Sequence, residues 1–229
     1  MKPRIRTQGI SIFLAVLTAV FLSKFLFPRW KGEAADEFLD ILGIFVLLFG
    51  FLIRVVARGY KSEKSWNGRS LMLDGLYGLV RHPMYFGTLL IGLGTVSILF
   101  QWWAFLVFLL IFLVIYTPQV RKEENSLLQL FGEEYKAYCR KTPKYFPNKN
   151  FFRVNPRDYL FFKWAWVKKE LSSLIAVSII IIALETWQDI RIFGRNEFLK
   201  EALEFLLAAV FFITLCILFC RKENVLRKS

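Results

Sequence analysis

Histidine is almost missing from this chain. Among 229 residues there is one, His82, and there are three cysteines, Cys139, Cys216 and Cys220. So few ligands, with no close cysteine cluster outside an apolar block, weigh against a zinc site. Cysteines without a paired framework exclude a disulfide-stapled secreted domain. Acidic residues are scarce too, 18 against 31 Lys and Arg, for a formal net charge of +13. Spread over a soluble surface, that excess would attract polyanions, but here the basic residues stand between long apolar blocks. Those blocks are what the chain has in abundance. It is 56% hydrophobic and 17% aromatic, with 25 Phe, against about 45–50% apolar in soluble domains. The blocks run over 10–27, 38–53, 86–117, 171–184 and 202–220, and runs of about 17–25 residues match the hydrocarbon thickness of a bilayer. The composition predicts an all-α integral membrane protein, with no nucleic acid among its partners.

One block is too long for a single upright crossing. As one helix, 86–117 would extend about 48 Å at 1.5 Å per residue. Gln101, Trp102 and Trp103 near its middle read as an interfacial turn, dividing it into a helical hairpin of 86–100 and 102–117. That gives about six crossings with both termini on one side. The charges agree, because this arrangement puts 25 of the 31 basic residues on that side and five on the other, with Lys24 inside the first block. The positive-inside rule then makes the richer side cytoplasmic. A single crossing at 86–117 would strand the basic stretch 121–169 outside. The first block is expected to stay in place rather than act as a cleaved signal, since residues 25–30 offer no small-residue cleavage pattern.

The chain thus divides into a first span and outer loop (1–37), a membrane core (38–147), an aromatic–basic segment (148–170) and two further spans (171–229). Within 123–138, Leu127, Phe131, Tyr135 and Tyr138 recur at helical spacing, as in an amphipathic helix leaving the membrane. Residues 144–169 interleave nine aromatic side chains with seven Lys and Arg. Such interleaving can bind single strands, but beside a bilayer it reads as anchoring at the headgroup level. Arg54 and Arg58 end a span and are expected to snorkel.

Chemistry concentrates in 75–87, Gly-Leu-Tyr-Gly-Leu-Val-Arg-His-Pro-Met-Tyr-Phe-Gly. Pro83 drives His82 out of helical geometry and suits the first turn of the following helix. The helix start then offers free N–H groups to an anionic or carboxylate group. The bland alternative is a Gly/Pro-rich loop with Arg81 snorkelling. A second cluster, Arg121-Lys122-Glu123-Glu124, follows the hairpin. Because a hairpin returns both ends to one face, the two clusters are expected to meet at one mouth.

These residues carry a resemblance. Tyr77-x3-Arg81-His82-Pro83-x-Tyr85-x-Gly87 resembles the RHPxYxG signature of the isoprenylcysteine carboxyl methyltransferases. Glu123-Glu124, with Leu127, Phe131-Gly132, Glu134-Tyr135, Tyr138, Pro143 and Pro147, resembles the second motif of that superfamily, which includes membrane phospholipid N-methyltransferases. The similarity covers roughly residues 40–147. It implies S-adenosylmethionine as methyl donor at the cytoplasmic membrane edge and a lipid or lipidated acceptor. It also implies cofactor contacts at Leu71, Met72, Tyr77, Arg81, His82, Tyr85, Glu123 and Glu124, with Glu123 the slightly better fit of the pair. His82, Glu124 and Arg121 are the expected catalytic groups. Some family members place a substrate-orienting arginine about one turn before the EE pair, where this chain has Gln119; Arg121 is near but on another helix face.

The charges suit those roles. A sulfonium donor with an amino-acid tail presents positive charge and a carboxylate, matching glutamates and Arg81 respectively. A carboxylate acceptor needs no general base, whereas an amine must lose a proton to His82 or a glutamate. The acceptor itself stays open among a prenylcysteine carboxylate, a phospholipid amine and another lipid headgroup. Two other classes remain: an NADPH-dependent membrane reductase of comparable architecture, and a non-enzymatic envelope protein whose clusters merely stabilise loops.

Overall fold

The computed structural model describes residues 34–64, 70–146 and 163–192, with five isolated positions after 200. The expected first span at 10–27, most of the aromatic–basic segment and nearly all of the last block lie outside the described residues. Within them every regular element is helical. In chain order these are α1 (Ala34–Lys64), α2 (Leu76–Leu79), α3 (Pro83–Leu99), α4 (Ala104–Lys141) and α5 (Trp164–Ile192).

Among the described residues two helices are long and apolar enough to cross a membrane, Phe38–Lys64 within α1 and Ala104–Lys141; α3 is a shorter apolar helix. The outer surface supports a lipid surround. On α4, Leu106, Leu110, Ile111 and Leu113 stand exposed, and Val114 is 74% exposed, a belt that water would penalise by roughly 25 cal/mol per Å².

The hairpin is present where Gln101-Trp102-Trp103 marks it. α3 ends at Leu99, and the turn closes through the Ala104 N–H donating to the Gln101 carbonyl at 2.9 Å. At the other end the Arg81 N–H donates to the Pro143 carbonyl at 2.9 Å, so the two ends of the hairpin return to the same place. The amphipathic segment is not a separate helix. Its first part continues α4 as far as Phe131, and the rest follows as a second helical stretch across a kink, the two together making up the 38 residues of α4. Its direction changes at Gly132, whose φ of 49° and ψ of −118° are non-helical. That bend turns Tyr135 and Tyr138 inward, where both are buried.

α1 and α3 pack closely because small residues face each other. A Cβ at Gly50 would stand 2.7 Å from the Gly87 carbonyl oxygen, so only hydrogen allows this approach. Around this contact lie two apolar clusters. One joins Leu47 and Phe51 of α1 to Ile91 and Ile98 of α3 and Ile181 of α5. The other joins Ile53, Val56 and Ala57 to Leu76, Tyr77 and Leu79 of α2 and to Trp166 and Val167 of α5. α5 therefore belongs to the core on both levels. Trp166 departs from the expected headgroup role. It is 2% exposed, and its indole N–H donates to Glu63 at 2.8 Å.

Candidate functional site

The polar mouth forms where the segment before α3 meets the far end of α4. Gly75, with φ of 60°, starts α2, a left-handed conformation that favours glycine. α2 then delivers Tyr77 to the core, its hydroxyl donating to the Ala57 carbonyl at 3.3 Å. The Tyr138 hydroxyl in turn donates to the Tyr77 carbonyl at 2.6 Å, fixing α2 against the kinked end of α4. Two residues later the chain extends, and His82 precedes Pro83 at the first position of α3.

Glu124 is the hub. Its Oε1 accepts from Arg81 Nη1 at 2.8 Å and lies 3.3 Å from His82 Nε2, while its Oε2 accepts from Lys144 Nζ at 2.5 Å. Burial alone would raise the Glu124 carboxyl. The hydrogen bonds from Lys144 and His82 and the charges of Lys144 and Arg81 outweigh it and hold the group below its ordinary value. His82 is 6% exposed. Burial lowers its pKa below the ordinary 6.5, and the opposing pull of Glu124 and Glu123 does not restore it. The shift favours the neutral form of the ring. Since a carboxylate only accepts, the single N–H of that neutral ring sits on Nε2 facing Glu124. This leaves the Nδ1 lone pair on the side of Glu123, whose Oε2 is 3.9 Å away.

Glu123 occupies the next position round the helix and pairs with Lys61 of α1 at 3.2 Å. The structure thus brings Arg81, His82, Glu123 and Glu124 together, and it gives the central place to Glu124. Tyr85 flanks them, its ring centroid 5.9 Å from His82 and 5.4 Å from Tyr116 of α4. Met72 packs beside the cluster that holds Tyr77, and Leu71 is half-buried. Arg121 is exposed and takes no part in the ion pairs around Glu124; Gln119 is exposed as well.

Three residues join the mouth unforeseen. Lys144 completes Glu124, Lys61 completes Glu123, and Cys139 accepts from Arg81 Nη1 at 3.0 Å. The sequence signal for Lys144 was its place after Pro143 at the end of the second motif. Lys61 gave a weaker one, lying on the same α1 face as Arg54 and Arg58. Arg54 and Arg58 do not simply snorkel. Both are paired to Glu170 of α5, at 3.1 and 2.6 Å. Among the described residues no group of three His, Cys, Asp or Glu is arranged to hold a metal ion.

Comparison with known proteins covers the same stretch. A family model described as "Protein of unknown function (DUF1295)" matches residues 6–142. A protein-S-isoprenylcysteine O-methyltransferase of Schizosaccharomyces pombe is 35% identical over 77 residues, 34% of this chain and 33% of the relative. The cobalt-zinc-cadmium resistance protein CzcN of Cupriavidus metallidurans is 32% identical over 148 residues, 63% of this chain and 66% of the relative. A protein-S-isoprenylcysteine O-methyltransferase of Rattus norvegicus is 30% identical over 127 residues, 52% and 44% of the two chains. The matched stretches thus span between a third and two thirds of these relatives' lengths. No solved structure matches the chain.

Proposed function

The chain belongs to the DUF1295 family, within the isoprenylcysteine methyltransferase-like superfamily, and from that premise we propose that it is a membrane methyltransferase. It uses S-adenosylmethionine, and its acceptor is an amphiphile reached at the cytoplasmic edge of the bilayer. One observation carries this reading: the two motif clusters, 42 and 43 residues apart in sequence, share one carboxylate, Glu124.

The residues fit such a cofactor. Its tail brings a carboxylate and an ammonium beside a sulfonium, so its site must offer both signs of charge at close quarters. The mouth does, with Glu123 and Glu124 set among Arg81, Lys144 and Lys61. Arg81 also keeps a buried Nε–H with no hydrogen-bond partner among the described residues, a donor that a ligand carboxylate would satisfy. Arg81 would hold the carboxylate end and Glu123 the cationic part, with Tyr77 and Met72 forming the apolar floor. When bound, the cofactor supplies a methyl group activated by positive sulfur.

The chain's own groups orient and handle protons. Glu124 fixes Arg81 and the His82 ring, so neither has to reorganise when ligands arrive, which is how positioning lowers a barrier. The neutral His82 keeps Nδ1 ready to accept a proton from an amine acceptor, with Glu123 placed to stabilise the resulting imidazolium. A carboxylate acceptor would leave His82 a purely orienting role. The apolar belt of α4 beside this mouth suits an acceptor with a lipid tail.

The test is calorimetry of S-adenosylhomocysteine on the full chain in detergent. Saturable binding is expected, weakened at least tenfold, about 1.4 kcal/mol, in Glu124→Gln and His82→Ala while circular dichroism stays native. A folded wild-type protein that binds none of it sinks the proposal, and binding of NADPH instead would point to the reductase.

A further inference from the structure

On α1, Arg54, Arg58 and Lys61 are spaced i, i+4 and i+7, so they form one basic stripe on one face. Lys61 serves Glu123 at the mouth. The other two reach Glu170, a carboxylate only 1% exposed, on a helix outside the stretch matched by the family model. Arg54 is 23% exposed and Arg58 48%.

Among the described residues one carboxylate faces two guanidinium groups, so this corner carries a surplus positive charge against an apolar bundle. A surplus of that kind is costly beside a membrane interior. It is not needed to dock α5. Trp166 already seats on Gly59 and is tied to Glu63 through its indole N–H, and Lys163 pairs with Glu63 at 2.7 Å.

The close approach of α1 and α3 also shapes the place of Arg54. A Cβ at Gly87 would stand 2.7 Å from both Arg54 Cγ and the Gly50 carbonyl oxygen, so the Arg54 stem lies directly against the α3 backbone. With Nη2 held by Glu170, the Arg54 Nε–H is buried and finds no hydrogen-bond partner among the described residues. Gly87, against which the Arg54 stem packs, lies two residues after Tyr85, and Tyr85 contacts Tyr116 and His82 with ring centroids 5.4 and 5.9 Å away.

We propose that Arg54, held in place by Glu170, binds the anionic head of an amphiphile, a phosphate or a carboxylate, on the hairpin side of the mouth. Arg58 adds charge at the more exposed side. That the amphiphile is the methyl acceptor rests on the reading above; the binding site does not. Arginine suits the task because a planar guanidinium keeps donors free for a second anion after one edge is occupied.

The test uses the full chain in a neutral maltoside detergent, titrated with monododecyl phosphate, with laurate and with inorganic phosphate. Saturable binding of at least one of the two amphiphiles is expected, and whichever binds tighter identifies the headgroup. That affinity should fall at least tenfold in Arg54→Gln and between threefold and tenfold in Arg54→Lys, which keeps the charge but loses the second free edge. S-adenosylhomocysteine affinity should stay within twofold in Arg54→Lys. If Arg54→Gln loses its fold, Arg58→Gln, on the exposed side, should weaken amphiphile binding at least threefold. Unchanged amphiphile affinity in a folded Arg54→Gln, or in Arg58→Gln where that variant decides, overturns the proposal, as does inorganic phosphate binding as tightly as monododecyl phosphate. Arg54-dependent amphiphile binding in a protein blind to S-adenosylhomocysteine would uphold this site and remove only the methyltransferase reading.

Discussion

Replacing Glu170 by Gln isolates the ion pair between α5 and α1 from the Trp166 contacts that seat α5. The carboxylate is 1% exposed and shared by Arg54 at 3.1 Å and Arg58 at 2.6 Å. Removing one partner of a buried pair costs about 3–5 kcal/mol, because the surviving charge stays buried and uncompensated. Two features reduce that figure here. Arg58 is nearly half exposed, so its charge is already partly met by water, and the Gln carbonyl can still accept the hydrogen bond that Arg58 donates. A loss of about 2–3 kcal/mol remains, which lowers the melting temperature by about 4–12 °C for a chain of this size. Thermal unfolding in mild detergent, followed by circular dichroism, reads it directly. Replacing Arg54, Arg58 and Glu170 together by Met should recover stability to within about 1 kcal/mol of wild type, since apolar packing often equals a buried ion pair. A Glu170→Gln protein within about 0.5 kcal/mol of wild type, the usual range of a surface change, would refute the reasoning. Glu170 would then be in contact with water, and the surplus charge at Arg54 would have no structural meaning.

Three further outcomes are expected. A Cβ at Gly59 would lie 2.1 Å from Trp166 Cδ2, so Gly59→Ala should displace the indole and cost about 1–3 kcal/mol, measured by chemical unfolding with loss of the Trp166–Glu63 contact. Gly132→Ala meets no neighbour but must hold φ at 49°, so a loss of about 1–2 kcal/mol is expected from the left-handed backbone alone. The same substitution should weaken S-adenosylhomocysteine binding, because the bend carries Tyr138 and Cys139 to Tyr77 and Arg81. The third outcome is a pH dependence. The folded pKa of His82 lies below its ordinary 6.5, so the unfolded chain takes up a proton first and this stability, whole above 6.5, is lost as pH falls. Glu124, held below 4.5, adds a second loss only under 4.5. Melting temperature should therefore drop more in wild type than in His82→Gln between about pH 7 and pH 5; equal drops would assign the change elsewhere.

What the sequence made legible is what local rules decide. A block too long for one crossing, with Trp102 and Trp103 at its middle, fixes a hairpin, and a hairpin must return Arg81 and Glu124 to one face. The choice between Glu123 and Glu124 was not legible, because adjacent helical residues point about 100° apart and the phase depends on how α4 packs. The structure sets that phase through Val120, fully buried, four positions before Glu124 and therefore on its face, and through the bend at Gly132, which brings Lys144 back onto Glu124. No spacing rule announces that Gly132 bends rather than merely weakens a helix. Arg54 and Arg58 were misread for a related reason. At a span end the default fate of arginine is to reach for water, and the partner that overrides it, Glu170, lies 112 residues from Arg58 in a stretch without a motif. Partners that distant are chosen by the packing of α1 against α5, which Gly59 and Trp166 determine by shape. The motif residues thus meet at the mouth of the hairpin, while Trp166 and Glu170, which tie α5 to α1, lie beyond the stretch that the family model matches, and Arg54 touches both, through Gly87 and Glu170.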